Sequence, residues 1–293
     1  MKKTVIVLGA GASFDVNYPT GPEMREHILT TIQRGNGLFD SAVKANFGEE
    51  RIAHFGDALN RASTLTIDAF LEHRSDLLDI GRFAIAHELT MRENVPIHTQ
   101  VKNSWYLNFR TRLGSRMEHL KSEELTIITF NYDRSLDHFL FGAYEAMYPP
   151  HTEQTIVANA FKKKLSILHV HGVLSPLPWQ HPNGRRYEMP QTPESLLEIS
   201  KHILLPHEEC VLKLSDGRSL ESVMNEAERI FFLGFGYAKT NLLKLGLESA
   251  RIDPTKEISG THKGLEDSDR DAIHAFFSNF SFFNENLEII KRL

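Results

Sequence analysis

Near the start of the chain, Thr4-Val5-Ile6-Val7-Leu8 runs directly into Gly9-Ala10-Gly11-Ala12-Ser13. An apolar and β-branched run with no polar alternation fits a strand covered on both faces, as in the middle of a parallel sheet. Two glycines straight after it allow backbone amides to approach a pyrophosphate closely, which is how a dinucleotide-binding α/β domain usually opens. The third glycine of the dehydrogenase pattern is missing, and Phe14-Asp15-Val16-Asn17-Tyr18-Pro19 follows instead. A helix cannot run from Ser13 through Pro19, so the turn is expected to open into a loop. A plain tight strand-to-helix turn is the competing reading.

Three more stretches have strand character: Leu125-Thr126-Ile127-Ile128-Thr129-Phe130, residues 166–172, and the run from Arg229 to Tyr237. Together they predict an α/β fold, a Rossmann-like parallel sheet with helices on both faces. Residues 21–34 carry Met24, Ile28, Leu29 and Ile32 at helical spacing before Gly35-Asn36-Gly37. From Ser41 to Leu120 there is almost no strand signal, and Thr66 precedes Ile67-Asp68-Ala69-Phe70-Leu71 as a capped helix start. The expected organisation is one domain over 1–293, with the core in 1–34 and 121–293 and a helical insertion over 35–120. Covering helices are expected at 134–147 and 240–250, a further helix near 268–278, and a last strand at Leu287-Glu288-Ile289-Ile290. Residues 149–164 and 176–220 read as loops or a small lobe.

Composition narrows the classes. Lys and Arg total 33 against 38 Asp and Glu, a net charge of −5 that argues against a general electrostatic grip on nucleic acid. Cys210 is the sole cysteine, so these residues form no internal disulfide and no cysteine-based zinc knuckle, in keeping with a reducing cytosol. No stretch approaches the ~18 apolar residues of a membrane span, and only Met1-Lys2-Lys3 precedes the first strand. A cytoplasmic location without membrane contact is the expectation.

Ligands of open parallel sheets bind beyond the carboxyl ends of the strands. The first glycine turn, Asn131, Asp133, His171 and the stretch Gly234-Phe235-Gly236 should therefore share one crevice. In chain order the pieces are Gly9-Ala10-Gly11-Ala12-Ser13, Thr129-Phe130-Asn131-Tyr132-Asp133, His169-Val170-His171-Gly172 and Leu233-Gly234-Phe235-Gly236-Tyr237. A fifth is Ile258-Ser259-Gly260-Thr261-His262-Lys263-Gly264-Leu265. This set resembles a sirtuin-type NAD-binding domain, and the resemblance covers most of the chain. The helical block, with Ile67-Asp68-Ala69-Phe70-Leu71, is similar to the bacterial sirtuin-like branch associated with antiphage defence rather than to the protein deacylases. One cysteine cannot build the deacylases' four-cysteine zinc lobe. Their Pro-Asp-Phe-Arg-like run is also absent; Asp15 and Tyr18-Pro19-Thr20-Gly21 occupy that region.

The resemblance implies cleavage of NAD into nicotinamide and ADP-ribose, with NAD as substrate and no metal, in an effector that depletes the cofactor. It implies that Asn131 orients the ribose or a water and that Asp133 accepts from hydroxyls or steadies developing positive charge. A turn residue (Asn131) and a helix N-cap (Asp133) are the competing structural roles. His171 is the expected general base, because imidazole titrates near neutrality, with Gly172 permitting close approach. His169, two residues earlier, would share a strand face with it, as a structural neighbour or one half of a metal pair. Gly9, Ala10, Gly11, Ala12 and Ser13 would hold the pyrophosphate, with Asp15 a further contact near the nicotinamide end. Gly234, Phe235 and Gly236 would pass the adenosine, and Asn241 would bond the cofactor or cap a helix. Self-assembly, or a separate ATPase, helicase-like or sensor subunit, is the expected restraint. Two alternatives are an NAD-dependent protein deacylase or ADP-ribosyltransferase, and a non-catalytic sensor of NAD or ADP-ribose.

Overall fold

Six strands form one sheet in the computed structural model: β1 (Thr4–Leu8), β2 (Leu125–Thr129), β3 (Ser166–His169), β4 (Arg229–Leu233), β5 (Glu257–Thr261) and β6 (Phe280–Phe283). The structure describes residues 2–293 except 191, 206–207, 209–213, 215–216, 248–252 and 278; Cys210 and the end of the helix expected over 240–250 lie outside the described residues. The spatial order is β3-β2-β1-β4-β5-β6, and every neighbouring pair is parallel. This is the Rossmann-like α/β sheet that the apolar runs predict.

β1, β2 and β4 are buried at every position. Side chains alternate between the two faces of a strand, so each strand feeds two cores. Ile6, Leu8, Ile127, Phe231 and Leu233 join the larger cluster, which extends into the helices between β1 and β2. Val5, Val7, Ile128, Ile230 and Phe232 join a second cluster with Val223, Met224, Leu242 and Phe277.

Between β1 and β2 the described residues form only helices and turns: α1 (Gly21–Thr31), α2 (Gly37–Lys44), α3 (Glu49–Arg61), α4 (Ile67–Leu71), α5 (Leu78–Thr90), α6 (Ile97–Gln100) and α7 (Trp105–Leu113), with short 3-10 turns among them. α1 starts where Thr20 and Glu23 form a reciprocal capping box and Pro22 occupies the first turn. α5 is apolar on nearly all sides because α1, α2, α4 and α10 (Pro193–Ser200) surround it. The remaining helices are α8 (Ser135–Glu145), α9 (Gln154–Lys162), α11 (Leu220–Glu226), α12 (Lys239–Lys244), α13 (Asp267–Phe276) and α14 (Asn286–Ile290).

Several expectations need correction. Residues 287–290 are helical, because Glu285 and Glu288 form a capping box just ahead of them; a short apolar run does not by itself choose between strand and helix. β6 lies earlier, at Phe280–Phe283, and β5 runs through the polar and small residues of Glu257–Thr261. The stretches read as loops contain α9, whose Val157, Ala158 and Phe161 are buried, and α10, capped by Thr192. β3 stops at His169 rather than Gly172, since Gly172 has φ +72° and turns the chain away.

Candidate functional site

In the strand order found here, the chain runs outward from β1 through β2 to β3 and then crosses back to β4 on the other side of β1, and this reversal opens a crevice at the carboxyl ends of β1 and β4. A cavity of about 720 Å³ occupies that crevice, a size ordinary for a small-molecule site. Gly9, Ala10, Gly11, Ser13, Asn131, Asp133, His171, Gly234, Phe235, Gly236 and Asn241 all line it. Ala12 and Asp15 do not: Ala12 is fully buried beneath the turn, and Asp15 is exposed.

The first turn is two consecutive 3-10 turns, Ala10–Ala12 and Phe14–Val16, closed by Asn17 in the left-handed region. Its amides are largely engaged already. Gly9 N–H donates to the Leu233 carbonyl, Gly11 N–H to Gly234, Ala12 N–H to Gly9 and Ser13 N–H to Ala10, at 2.9–3.1 Å. Of Gly9 to Ser13, the Ala10 N–H is the one without such a bond among the described residues. The glycines have a packing reason: a Cβ on Gly9 would lie 2.5 Å from the Gly234 oxygen. Gly234 has φ +55°, and a Cβ there would lie 2.0 Å from the Ala12 nitrogen. The turns after β1 and β4 thus lock together backbone against backbone, and Trp105 Nε1 donates to the Ala12 carbonyl from behind at 2.7 Å.

Asn131 and Asp133 leave the end of β2 and meet at Ser13. Asn131 Nδ2 donates to the Gly9 carbonyl and to Ser13 Oγ, both at 3.0 Å. Ser13 Oγ donates in turn to Asp133 Oδ2 at 2.8 Å. Asp133 Oδ1 accepts from the Ser135 amide at 3.0 Å and from its hydroxyl, the geometry of a side chain that starts a helix. Burial pushes the Asp133 carboxyl above the usual range, against the bonds from Ser135 and Ser13 that favour its charged form.

The two histidines part company because the strand ends between them. His169 Nδ1 meets the Asn131 carbonyl at 3.0 Å and its Nε2 meets Asp137 Oδ2 at 3.1 Å, while Gln180 donates to the other oxygen of Asp137. Burial alone would lower its pKa, but Asp137 and the Asn131 carbonyl together raise it. His169 is therefore committed to fixing the loop that carries Asn131. His171 instead lines the cavity, 4% exposed, with its Nε2 buried and without a partner. Its ring stands edge-on to Phe130 at 5.1 Å and lies 6.2 Å from Tyr132. Burial, with the charge of Lys244, lowers its pKa to about 4. Its backbone is fixed as well: the carbonyl accepts from Leu204 N–H, and a Cβ on Gly172 would lie 2.1 Å from the His202 oxygen.

Asn241, near the start of α12, also has a buried oxygen with no partner. Gly236 has open space where a Cβ would stand, and Phe235 packs edge-on against Phe130. Thr261 at the end of β5, and Lys263, Gly264 and Leu265 just beyond it, reach the same cavity, and Thr261 Oγ1 accepts from the Gly234 amide at 2.8 Å.

The opposite wall comes from the helical block and was not anticipated as part of the site. It includes Asp68 of α4 and the residues that cap its two ends, Thr66 and Glu72, and it is joined by Tyr18 from the segment ahead of α1. Tyr132 donates from its hydroxyl to Asp68 Oδ1 at 2.8 Å, across this wall. Asp68 is half-buried, and burial raises its pKa. An acidic residue in the first turn of a helix has a sufficient local explanation in the helix dipole, which hid this placement. Tyr18 pairs with the Tyr187 hydroxyl at 2.7 Å, and Tyr187 stacks on His138. Arg134 holds this segment: it forms a fully buried bidentate pair with Glu93 at 2.8 Å and donates to the carbonyls of Ser175, Pro176, Arg185 and Arg186. No family model matches the chain, and no curated protein matches it.

Proposed function

We propose that the cavity binds NAD and that the protein hydrolyses its nicotinamide–ribose bond, releasing nicotinamide and ADP-ribose. The observation that carries this reading is the buried, unpartnered Nε2 of His171 in a cavity that also holds Asn131 at the switch point of a Rossmann-like sheet. Cleavage builds positive oxocarbenium character on the ribose. The C–N bond breaks with its electron pair passing to the pyridine nitrogen, so neutral nicotinamide leaves, and a water oxygen bonds the anomeric carbon. The water's proton needs an acceptor. His171 is neutral at neutral pH with its pKa near 4, and a bound pyrophosphate would raise that value toward the working range by its negative charge.

Asn131 has its amide nitrogen fixed by Gly9 and Ser13, which leaves Oδ1 to accept from a ribose hydroxyl or the attacking water. Asp133, held by Ser13 and Ser135, acts as a positioning residue in this scheme. The Ala10 N–H is the donor left for a phosphate oxygen, and Asn241 Oδ1 accepts from the cofactor. Self-assembly, a partner ATPase or sensor subunit, and a role in antiphage defence rest on the resemblance alone.

The test is incubation with NAD, with nicotinamide and ADP-ribose followed by chromatography. The wild type is expected to release both, and His171→Ala and Asn131→Ala to slow release by about 100-fold or more, the scale of a lost general base. Absence of both release and NAD binding would overturn the assignment. A second reading, a sensor that binds NAD without cleaving it, draws on the structural engagement of Asn131 and Asp133. Intact NAD recovered from a tight complex would favour it.

A further inference from the structure

We infer that Asp68, delivered from the helical block, is the carboxylate that recognises the cationic pyridinium end of the dinucleotide and makes the site selective for its oxidised form. The inference rests on the NAD reading above and names the residue that would read the ligand's charge. Among the described residues, three carboxylates line the cavity: Asp68, Glu72 and Asp133. Asp133 has both oxygens engaged by Ser13 and Ser135, so its charge is already offset by donors. Glu72 is exposed, where water screens it. Asp68 differs from both. It is half-buried, no Lys or Arg pairs with it among the described residues, and its one hydrogen bond to another side chain is the Tyr132 hydroxyl on Oδ1.

A carboxylate withdrawn from water without a counter-cation is costly unless a ligand supplies the positive charge. Independent signs of a ligand stand close by, since Tyr132 bridges Asp68 toward His171, whose Nε2 is buried and unpartnered in the same cavity. Oxidised nicotinamide carries a full positive charge and the dihydro form carries none. The glycine turns form the other side of the cavity, so a dinucleotide lying between would present its phosphates to the turns and its ring to α4.

The experiment uses the full chain and the non-hydrolysable carbocyclic analogue of NAD, in oxidised and reduced forms, with ADP-ribose as a ligand lacking the ring. The wild type is expected to bind the oxidised analogue about tenfold more tightly than the reduced one. Asp68→Asn retains an oxygen for the Tyr132 hydroxyl but removes the charge. It should bring the two affinities within about threefold of one another and leave ADP-ribose affinity unchanged, a pattern that loss of a merely structural contact does not produce. Glu72→Gln should leave the wild-type ratio within about twofold. If Asp68→Asn keeps the wild-type ratio while ADP-ribose still binds, the role of Asp68 is overturned and the NAD reading stands. If none of the three ligands binds the wild type, both are overturned.

Discussion

At the corner of the cavity beneath β1 and β2, Asn131, Ser13 and Asp133 bond to one another and to main-chain groups. At the corner beneath β3 and α12, Nε2 of His171 and Oδ1 of Asn241 are buried with no partner. The first corner is a scaffold whose geometry is over-determined by donors and acceptors within the protein. In the second, the protein tolerates about 1–3 kcal/mol for each unsatisfied group. Natural sequences accept such local conflicts chiefly where a ligand resolves them. The contrast therefore separates residues that hold the site from residues left free to act in it.

The interlocked turns after β1 and β4, the first of which carries Ser13 of the scaffold corner, should be the most fragile part of the site. The largest effect is expected at Gly234, where an added Cβ meets the Ala12 nitrogen at 2.0 Å and φ is +55°. Gly234→Ala should lower stability by about 3–5 kcal/mol, combining overpacking with a left-handed backbone, as read by denaturant unfolding. A loss below about 1 kcal/mol would mean that the two turns are not locked together.

The ligand corner should announce itself through pH. The folded pKa of His171 is about 4 against an ordinary 6.5, so between those values the unfolded chain binds the extra proton. Its contribution is intact above pH 6.5 and declines as pH falls toward 4, by ~3 kcal/mol in all. Stability curves of the wild type and His171→Gln, compared from pH 7 to 4, should diverge by that amount; parallel curves would show that His171 is not held neutral. The smallest effect is expected for Asn131→Ala, at about 2 kcal/mol, because Gly9 and Ser13 lose one donor. Were Asn131→Ala neutral to stability while His171→Gln was costly at neutral pH, the assignment of scaffold and ligand corners would have to be exchanged.

β1, β2 and β4 were legible in the sequence because strands buried on both faces need unbroken apolar runs, and each ends in residues that line the cavity. β5 escaped notice because Ser259, Gly260 and Thr261 interrupt its apolar pattern; Gly260 is needed there, as a Cβ would collide with the Tyr237 hydroxyl and the Phe280 ring. α14 was misread because Leu287, Ile289 and Ile290 satisfy either period, and the capping pair Glu285 and Glu288 decides between them.

The candidate site divides in the same way. Gly9, Gly11, Asn131, Asp133, His171 and Gly234 could be named from local pattern, since each follows or closes a strand whose end the topology must expose. What each side chain or glycine does there could not. Gly9 and Gly234 are 225 residues apart, yet a Cβ on Gly9 would strike the Gly234 carbonyl, and a Cβ on Gly234 would strike the backbone of Gly11 and Ala12 in the same turn. His169 and His171 look equivalent in sequence, and only the end of β3 between them sends one to Asp137 and the other into the cavity. Asp68 looked like an ordinary first-turn acid until the fold brought Tyr132 to it.

The sequence by itself determined the sheet class and the strand ends where chemistry can gather, because apolar runs and glycine turns are local signals. Only the tertiary structure decided which polar atoms are satisfied within the protein and which remain for a ligand, because hydrogen bonding and burial depend on partners that the chain brings together from far apart.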